Sequence, residues 1–233
     1  MAKLNKKPLI IWDFDGVIAD SEKLWVRVWH NVLAQEKGIV LTKAEEQNWL
    51  MGMADRTKKH NIQKHFPEVQ LDADFMQKIT DGEIKFGTQF MQPMPGVQDV
   101  LADKHFNHCI ATGATKEQQL WKVRIFPWLK NYVKPNDCFT VDMVEHGKPA
   151  PDLFLLALKT KGYPAAQAVV IEDSVHGMDA AKAAGIKCIA FVGAEGNNTA
   201  AYRKKCLDAG AIAVCANMSQ LKQTLYKLFQ IKQ

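Results

Sequence analysis

The chain has 233 residues, of which 47% are apolar and 24% are charged, and it carries a net charge of +5. This composition is typical of a globular protein, and the length fits one large domain or one domain with a smaller companion. No apolar run approaches the roughly 18–20 residues of a membrane-spanning helix, and no basic stripe with interleaved aromatic residues is present. We therefore expect neither a membrane nor a nucleic acid as a partner.

Apolar runs along the chain predict the strands of a parallel sheet. None of them alternates between apolar and polar residues, which is typical of strands that are covered on both faces. The runs lie at 8–13, 108–112, 168–172, 188–192 and 211–215. Helical spacing of apolar residues is found between them, at 97–104, 116–126, 152–161, 176–184, 199–208 and 218–230. This alternation predicts an α/β fold with a doubly wound, Rossmann-like parallel sheet.

Residues 20–91 interrupt this alternation, because they contain helical patterns and no strand-like run. Thr42 with Glu45 predicts a capping box at the start of one helix, and Asp72 predicts the N-cap of another. We therefore predict two domains. Residues 1–19 and 92–233 form an α/β catalytic core, and residues 20–91 form an inserted helical cap.

The cysteines indicate a reducing environment. There are five of them, widely spaced and without a CxxC pair, which argues against a disulfide framework and a zinc knuckle. We expect them to pack as small buried side chains in a cytoplasmic protein.

Carboxylates follow two of the predicted strands. Asp13 and Asp15 come after the first strand, and Glu172-Asp173 ends a later one. The carboxyl ends of parallel strands meet at one edge of a sheet, which is where ligands bind in such folds. Concentrated negative charge is costly there unless a cation offsets it, and oxygen ligands suit Mg²⁺. We predict a Mg²⁺ site formed by Asp13, Asp15 and Asp173.

Two further segments suit an anionic substrate. Lys148 lies in the loop Gly147-Lys148-Pro149-Ala150-Pro151-Asp152 and supplies a positive charge for carboxylates and phosphate. Thr112 ends another strand, and its hydroxyl with the N–H groups from Gly113 onward could hold an anion. Taken alone, each segment also has a structural explanation: Lys148 could lie in a proline-rich surface loop, and Thr112 could be a structural threonine at the end of a strand.

The order of these motifs resembles the haloacid dehalogenase superfamily of phosphohydrolases. Residues 13–22 look like its first motif, Thr112 its second, residues 148–152 its third and residues 172–177 its fourth. The helical insert directly after the first motif is similar to the small cap of the β-phosphoglucomutase-like branch. The resemblance extends over essentially the whole chain.

The resemblance implies a phosphomonoesterase with an aspartyl-phosphate intermediate. Asp13 would attack the phosphoryl group, and Asp15 would act as general acid and then as general base. The implied phosphate-binding set is Asp13, Thr112, Gly113 and Lys148, and Lys148 is counted with the catalytic residues. The implied metal ligands are Asp13, the backbone carbonyl of Asp15, Asp173 and, directly or through water, Glu172.

The resemblance leaves alternatives open. The mutases of this branch carry a histidine in the first cap helix, near the position of Trp25 here, so we favour a phosphatase over a phosphohexomutase. A phosphonate hydrolase would need a cap lysine, for which Lys23 is the candidate, and a non-catalytic binding module is a further alternative.

Specificity is expected to lie in the cap. Gly52 and Arg56 fall where this branch has a loop that faces the substrate. We expect the partner to be a small phosphorylated metabolite that Gly52 and Arg56 contact. We expect the protein to be a monomer or a weak homodimer.

Overall fold

A computed structural model describes residues 6–53, 55–194 and 198–232. The chain forms two compact units: one contains the chain up to Ala19 together with Pro93–Gln233, and the other is Asp20–Gln92. That the first unit is a catalytic core and the second a cap stays a prediction.

The first unit contains a six-stranded parallel sheet. Its strand order is β5-β4-β1-β6-β7-β8, and every neighbouring pair runs parallel. The strands are β1 (Leu9–Trp12), β4 (Asn107–Thr112), β5 (Cys138–Thr140), β6 (Ala168–Glu172), β7 (Lys187–Phe191) and β8 (Ala213–Cys215). β2 (Ala19–Asp20) and β3 (Gln92–Pro93) form a separate two-stranded sheet. The predicted α/β fold with a parallel sheet is therefore confirmed.

Helices follow the strands in the order that the apolar spacing predicts. They are α5 (Val97–Leu101), α6 (Lys116–Ile125), α7 (Asp152–Lys161), α8 (Val175–Ala183), α9 (Ala200–Asp208) and α10 (Met218–Phe229). Side-chain oxygens cap several of them: Thr115 accepts from the N–H of Gln118 at the start of α6, and Ser174 accepts from that of Gly177 at the start of α8. All four residues of β1 are buried, because the central strand is covered on both faces.

The second unit is helical. Its helices are α1 (Glu22–Lys37), α2 (Lys43–Trp49), α3 (Asp55–His65) and α4 (Ala73–Phe90). The predicted capping box of Thr42 and Glu45 is present, and the carboxylate of Asp72 accepts from the N–H of Phe75. A buried cluster that includes Trp29 and Phe75 forms the core of this unit.

The cysteines are free, and all except the half-buried Cys138 are buried. Burial raises the pKa of the Cys138 thiol to about 12, so these thiols are protonated at neutral pH and poorly nucleophilic. No helix in the described part of the chain is long and apolar enough to cross a membrane.

Candidate active site

The candidate site lies at the carboxyl edge of the three central strands. β1 has β4 on one side and β6 on the other, with Trp12 level with Ile110 and Ile171. The residues that follow therefore come together: Asp13 after β1, Thr112 at the end of β4, and Glu172-Asp173 at the end of β6. The backbone N–H of Asp13 donates to the carbonyl of Ile171 at 2.9 Å, which ties the first motif to β6.

The turn after β1 directs Asp13 and Asp15 to this edge. The carbonyl of Phe14 accepts from the N–H groups of Ile18 and Ala19 at 2.9 and 3.0 Å. Gly16 adopts a φ of 76°, which glycine reaches without steric cost. The chain therefore makes a tight loop, closed by a parallel bridge between Asp15 and Ala19, and both carboxylates stay near the end of the strand.

Lys148 bridges two of the predicted carboxylates. Its Nζ lies 2.6 Å from Asp13 Oδ1 and 2.5 Å from Glu172 Oε1, and it also donates to the carbonyl of Ala111 at 3.0 Å. The side chains of Lys148, Asp13 and Glu172 are 9%, 10% and 1% exposed. This triad is therefore shielded from solvent, and its charges interact more strongly than surface charges do.

Burial dominates the electrostatics of Asp13. It raises the pKa of the carboxyl group to about 7; the ammonium of Lys148 opposes this rise, and the negative charge of Glu172 adds to it. For Lys148, burial lowers the pKa, but the attraction of Asp13 and Glu172 outweighs it, and the net direction is upward. One lysine thus offsets only part of the negative charge here, and a further cation would favour the ionised form of Asp13.

Three carboxylates form a cluster that fits a hard divalent cation. One oxygen each of Asp13, Glu172 and Asp173 lies within 4.8 Å of the others, and all three residues are buried. Buried carboxylate oxygens are the donors that Mg²⁺ prefers. The side chain of Asp15 is not part of this cluster, since its Oδ2 contacts the ammonium of Lys122 at 2.6 Å.

Both oxygens of Glu172 already have protein donors. Oε1 accepts from Lys148 at 2.5 Å, and Oε2 accepts from the backbone N–H and the hydroxyl of Ser174 at 3.0 and 2.9 Å. Direct coordination of a metal by Glu172 would require it to share one of these oxygens. The arrangement therefore gives Glu172 a second task, which is to fix Lys148 and the turn into α8.

Glycine is required where these carboxylates approach the backbone. A Cβ built on Gly16 would overlap the carboxylate of Asp173, and one built on Gly177 would overlap the carboxyl group of Glu172. The hydroxyl of Tyr202 donates to the backbone carbonyl of Asp173 at 2.5 Å. The position of the acidic pair is therefore set from both the turn after β1 and helix α9.

The structure places Thr112 and Gly113 at the same sheet edge. Thr112 is 1% exposed, and its Oγ1 accepts from the N–H of Ala114 at 3.2 Å. Gly113 is exposed and has open space where a Cβ would lie. Their binding of phosphate stays a prediction.

Sequence reasoning missed Lys122. It lies in α6, where a lysine is ordinarily a solvated surface residue, yet it is 4% exposed and ion-paired with Asp15. No motif marks it, and its burial depends on the packing of α6 against the rest of the unit. The one available signal was its position about two helical turns after Thr115, the N-cap of α6.

Gly52 and Arg56 lie in the helical unit. Gly52 adopts a φ of 67°, and its N–H donates to the Glu22 carboxylate at 2.7 Å. Arg56 is exposed in the first turn of α3. Two positions later in α3, the buried Lys58 contacts Asp55 at 3.2 Å. The role of Gly52 and Arg56 in specificity stays a prediction.

Comparison with known proteins identifies the family. The model of the haloacid dehalogenase-like hydrolase family matches residues 10–191. The chain belongs to this family. Among its curated relatives, a phosphorylated carbohydrates phosphatase of Thermotoga maritima is 27% identical over 209 residues, which cover 88% of this chain and 92% of that protein. A fructose-1-phosphate phosphatase of Escherichia coli is 27% identical over 186 residues, which cover 77% and 94%.

Solved structures of this haloacid dehalogenase-like family share the fold. A haloacid dehalogenase-like protein of unknown function from Agrobacterium tumefaciens superposes with a TM-score of 0.82 at 26% identity, covering 96% of this chain and 99% of that one. A putative β-phosphoglucomutase from Thermotoga maritima gives a TM-score of 0.74 at 26% identity, covering 94% and 99%. The predicted superfamily, its β-phosphoglucomutase-like branch and the enzyme class, a phosphatase, are confirmed.

Proposed function

We propose that the protein hydrolyses the phosphomonoester bond of a small sugar phosphate, with Asp13 as the nucleophile. The observation that carries this proposal is the buried triad in which Lys148 holds Asp13 and Glu172 at 2.6 and 2.5 Å. It resembles a nucleophile that a fixed positive charge orients. The relatives that are named as phosphatases of phosphorylated carbohydrates and of fructose 1-phosphate support the sugar phosphate as substrate class.

In the first step, a carboxylate oxygen of Asp13 attacks phosphorus. The new P–O bond forms an aspartyl-phosphate, and the bond from phosphorus to the sugar oxygen breaks. Asp15 gives its proton to that departing oxygen, so an alcohol leaves instead of an alkoxide. The position of Asp15 two residues after the nucleophile, directly before Gly16, suits this task.

In the second step, Asp15 accepts a proton from water. The resulting hydroxide attacks phosphorus, and the bond from phosphorus to Asp13 breaks. Inorganic phosphate leaves, the carboxylate of Asp13 is restored, and Asp15 again carries a proton. One difficult displacement is thus divided into two easier ones.

Lys148, Thr112 and the N–H groups from Gly113 onward are proposed to bind the phosphoryl oxygens. Three hydrogen bonds fix the position of Lys148. They use all three of its N–H donors, so contact with a phosphoryl oxygen requires Lys148 to share or release one of them. The exposed backbone at Gly113 leaves room for an anion beside Thr112.

Mg²⁺ is the proposed cofactor. Asp13, Asp173 and the backbone carbonyl of Asp15 would hold it, and Glu172 would do so directly or through water. When bound, the ion would supply positive charge that reduces the repulsion between the nucleophile and the phosphoryl oxygens. The buried cluster of carboxylates supports this assignment.

A phosphohexomutase is the second candidate, since a structural neighbour is described as a putative β-phosphoglucomutase. Two observations favour the phosphatase. The buried Trp25 occupies the region of α1 in which the mutases carry a histidine. His30, the histidine of α1, lies 2.6 Å from Glu46 within the helical unit. Lys23, which a phosphonate hydrolase would use for a Schiff base, is exposed.

A phosphate-release screen tests the proposal. Purified protein with Mg²⁺ is assayed against sugar phosphates, polyol phosphates and nucleotides. We expect release of inorganic phosphate, loss of activity on dialysis against EDTA, and recovery on addition of Mg²⁺. Asp13→Asn should fold normally and abolish turnover. Near-normal activity of Asp13→Asn, or full activity without metal, would refute the assignment.

The same assay separates the alternatives. A mutase would need a sugar bisphosphate as activator and would yield an isomeric sugar phosphate instead of inorganic phosphate. A binding module would retain ligand without turnover. Either result would replace the proposed function.

A further inference from the structure

Lys122 is buried on a helix that starts beside the site. Only 4% of its surface is exposed, although lysine is almost never fully buried unless it is paired. The capping box of Thr115 and Gln118 fixes the start of α6 three residues after Thr112. Lys122 follows Thr115 by about two helical turns. The capped helix therefore sets the place of Lys122 relative to the sheet edge.

The buried ammonium is directed at Asp15. Nζ of Lys122 lies 2.6 Å from Asp15 Oδ2, across 107 positions of sequence, and the Asp15 side chain is 20% exposed. A charge-assisted hydrogen bond is roughly twice as strong as one between neutral groups. Gln119, one turn earlier on the same helix face, is 3% exposed, and its amide atoms have no hydrogen-bond partner among the described residues. This face of α6 is therefore polar as well as enclosed.

The two carboxylates of the first motif thus have different lysine partners. Asp13 is held by Lys148, and Asp15 is held by Lys122. Two neighbouring carboxylates with separate counterions do not compete for one ammonium. This separation suits two residues with different tasks, a nucleophile and a proton carrier.

We propose that Lys122 is a positioning residue that holds the Asp15 carboxyl group in the orientation needed for proton transfer. The inference rests on the proposed function, in which Asp15 serves both steps. Proton transfer requires the acid and the reacting oxygen to lie within about 2.6–3.2 Å of one another. The contact with Lys122 limits the orientations that the Asp15 carboxyl group adopts about its broad, roughly two-fold terminal torsion. Without this contact, a smaller fraction of the orientations places the group for transfer.

The test compares two leaving groups. An alkyl phosphate such as glycerol phosphate needs a general acid to leave, whereas p-nitrophenyl phosphate does not. For Lys122→Met with Mg²⁺, we expect kcat/KM for the alkyl phosphate to fall on the order of a hundredfold, the lower range of general acid–base effects. The value of kcat/KM reports only the first step. For p-nitrophenyl phosphate it should stay within about threefold of the wild-type value, because p-nitrophenolate leaves without a general acid.

The second step gives an independent readout. It needs Asp15 as a base for both substrates, so Lys122→Met should show a burst of about one p-nitrophenolate per enzyme molecule before a slowed steady state. Lys122→Arg, which keeps the charge, should restore part of the loss. Lys161→Met is the matched control. Lys161 forms an ion pair of similar length, 2.7 Å to Asp137, in the same unit. This variant should behave as the wild type.

The melting temperature shows whether each variant folds, and Lys122→Gln replaces Lys122→Met if the latter does not. Equal losses of kcat/KM on both substrates, or no loss on either, would overturn the role of Lys122. Failure of the proposed function gives a different result: the wild type then hydrolyses neither substrate, or Asp13→Asn remains active.

Discussion

His108 offers a quantitative test of the central sheet. It lies in β4, and 7% of its surface is exposed. Its Nδ1 accepts a hydrogen bond from the indole N–H of Trp12 at 3.1 Å. Trp12 is the residue directly before Asp13. Burial lowers the pKa of His108 from 6.5 to about 4, against the opposing attraction of Asp103. The imidazole is therefore neutral in the folded protein at neutral pH, with its proton on Nε2.

The cost of acidification follows from this shift. The unfolded chain takes up a proton at His108 as the pH falls through 6.5, whereas the folded chain does not do so until about pH 4. Stability therefore falls as the pH falls through this window. One pKa unit corresponds to about 1.4 kcal/mol, which sets a ceiling of about 3.4 kcal/mol for the whole shift. At pH 5, the same two pKa values give a loss of about 2 kcal/mol relative to pH 7.5.

The assay measures a difference between two proteins. His108→Gln can still accept from Trp12 but does not titrate. We expect the free energy of unfolding in urea, followed at pH 7.5 and pH 5, to fall by about 2 kcal/mol more for the wild type than for His108→Gln. Other titrating groups are common to both proteins and cancel. His60→Gln, at an exposed position, should follow the wild type. An equal fall in the wild type and His108→Gln would show that His108 is not held neutral.

Three further outcomes are expected. Gly16→Ala should weaken activation by Mg²⁺ about tenfold or more, because the added Cβ overlaps the Asp173 carboxylate. Gly185 has a similar positive φ but open space around it, so Gly185→Ala should cost only about 1 kcal/mol of stability. Equal Mg²⁺ titrations of the two variants would contradict this. Arg56→Ala should lower kcat/KM for the best sugar phosphate by about tenfold with an unchanged melting temperature, the size of one lost polar contact to substrate; an unchanged kcat/KM removes Arg56 from the site. Iodoacetamide at pH 8 should label less than one thiol per native chain, since even the half-buried Cys138 has a pKa of about 12; rapid labelling of the native protein would contradict this.

The strand ends could be predicted because each step is local. A continuous apolar run indicates a strand buried on both faces, and parallel strands bring their carboxyl ends to one edge. That reasoning was enough to bring Asp13, Thr112 and Glu172 together. It missed β5 (Cys138–Thr140), because polar residues flank this segment and leave no continuous apolar run. The other three-residue edge strand, β8, lies within the apolar run 211–215 and was predicted.

The contacts that connect distant segments could not be predicted. Lys122 lies 107 positions from Asp15, and nothing in the local pattern of α6 distinguishes it from a surface lysine. The two donors to Glu172 Oε2 from Ser174 depend equally on the geometry of the turn into α8. These hydrogen-bond and ion-pair partners depend on tertiary packing. The periodicity of apolar residues along the sequence indicates helices and strands but not which distant side chains meet.

The place of β1 in the sheet has a consequence for how the chain folds. Leu9 pairs with Asn107 on one side and with Ala168 on the other, so the central strand is synthesised first and finds its neighbours about 100 and 160 positions later. Contacts of such high sequence separation slow folding. During synthesis, β1 remains an unpaired apolar strand while the helices of Asp20–Gln92, whose contacts are local, can already form. Asp13, the proposed nucleophile, therefore belongs to a part of the molecule that is completed only after residue 172. Until then, the unpaired apolar strand β1 is open to aggregation and to binding by chaperones.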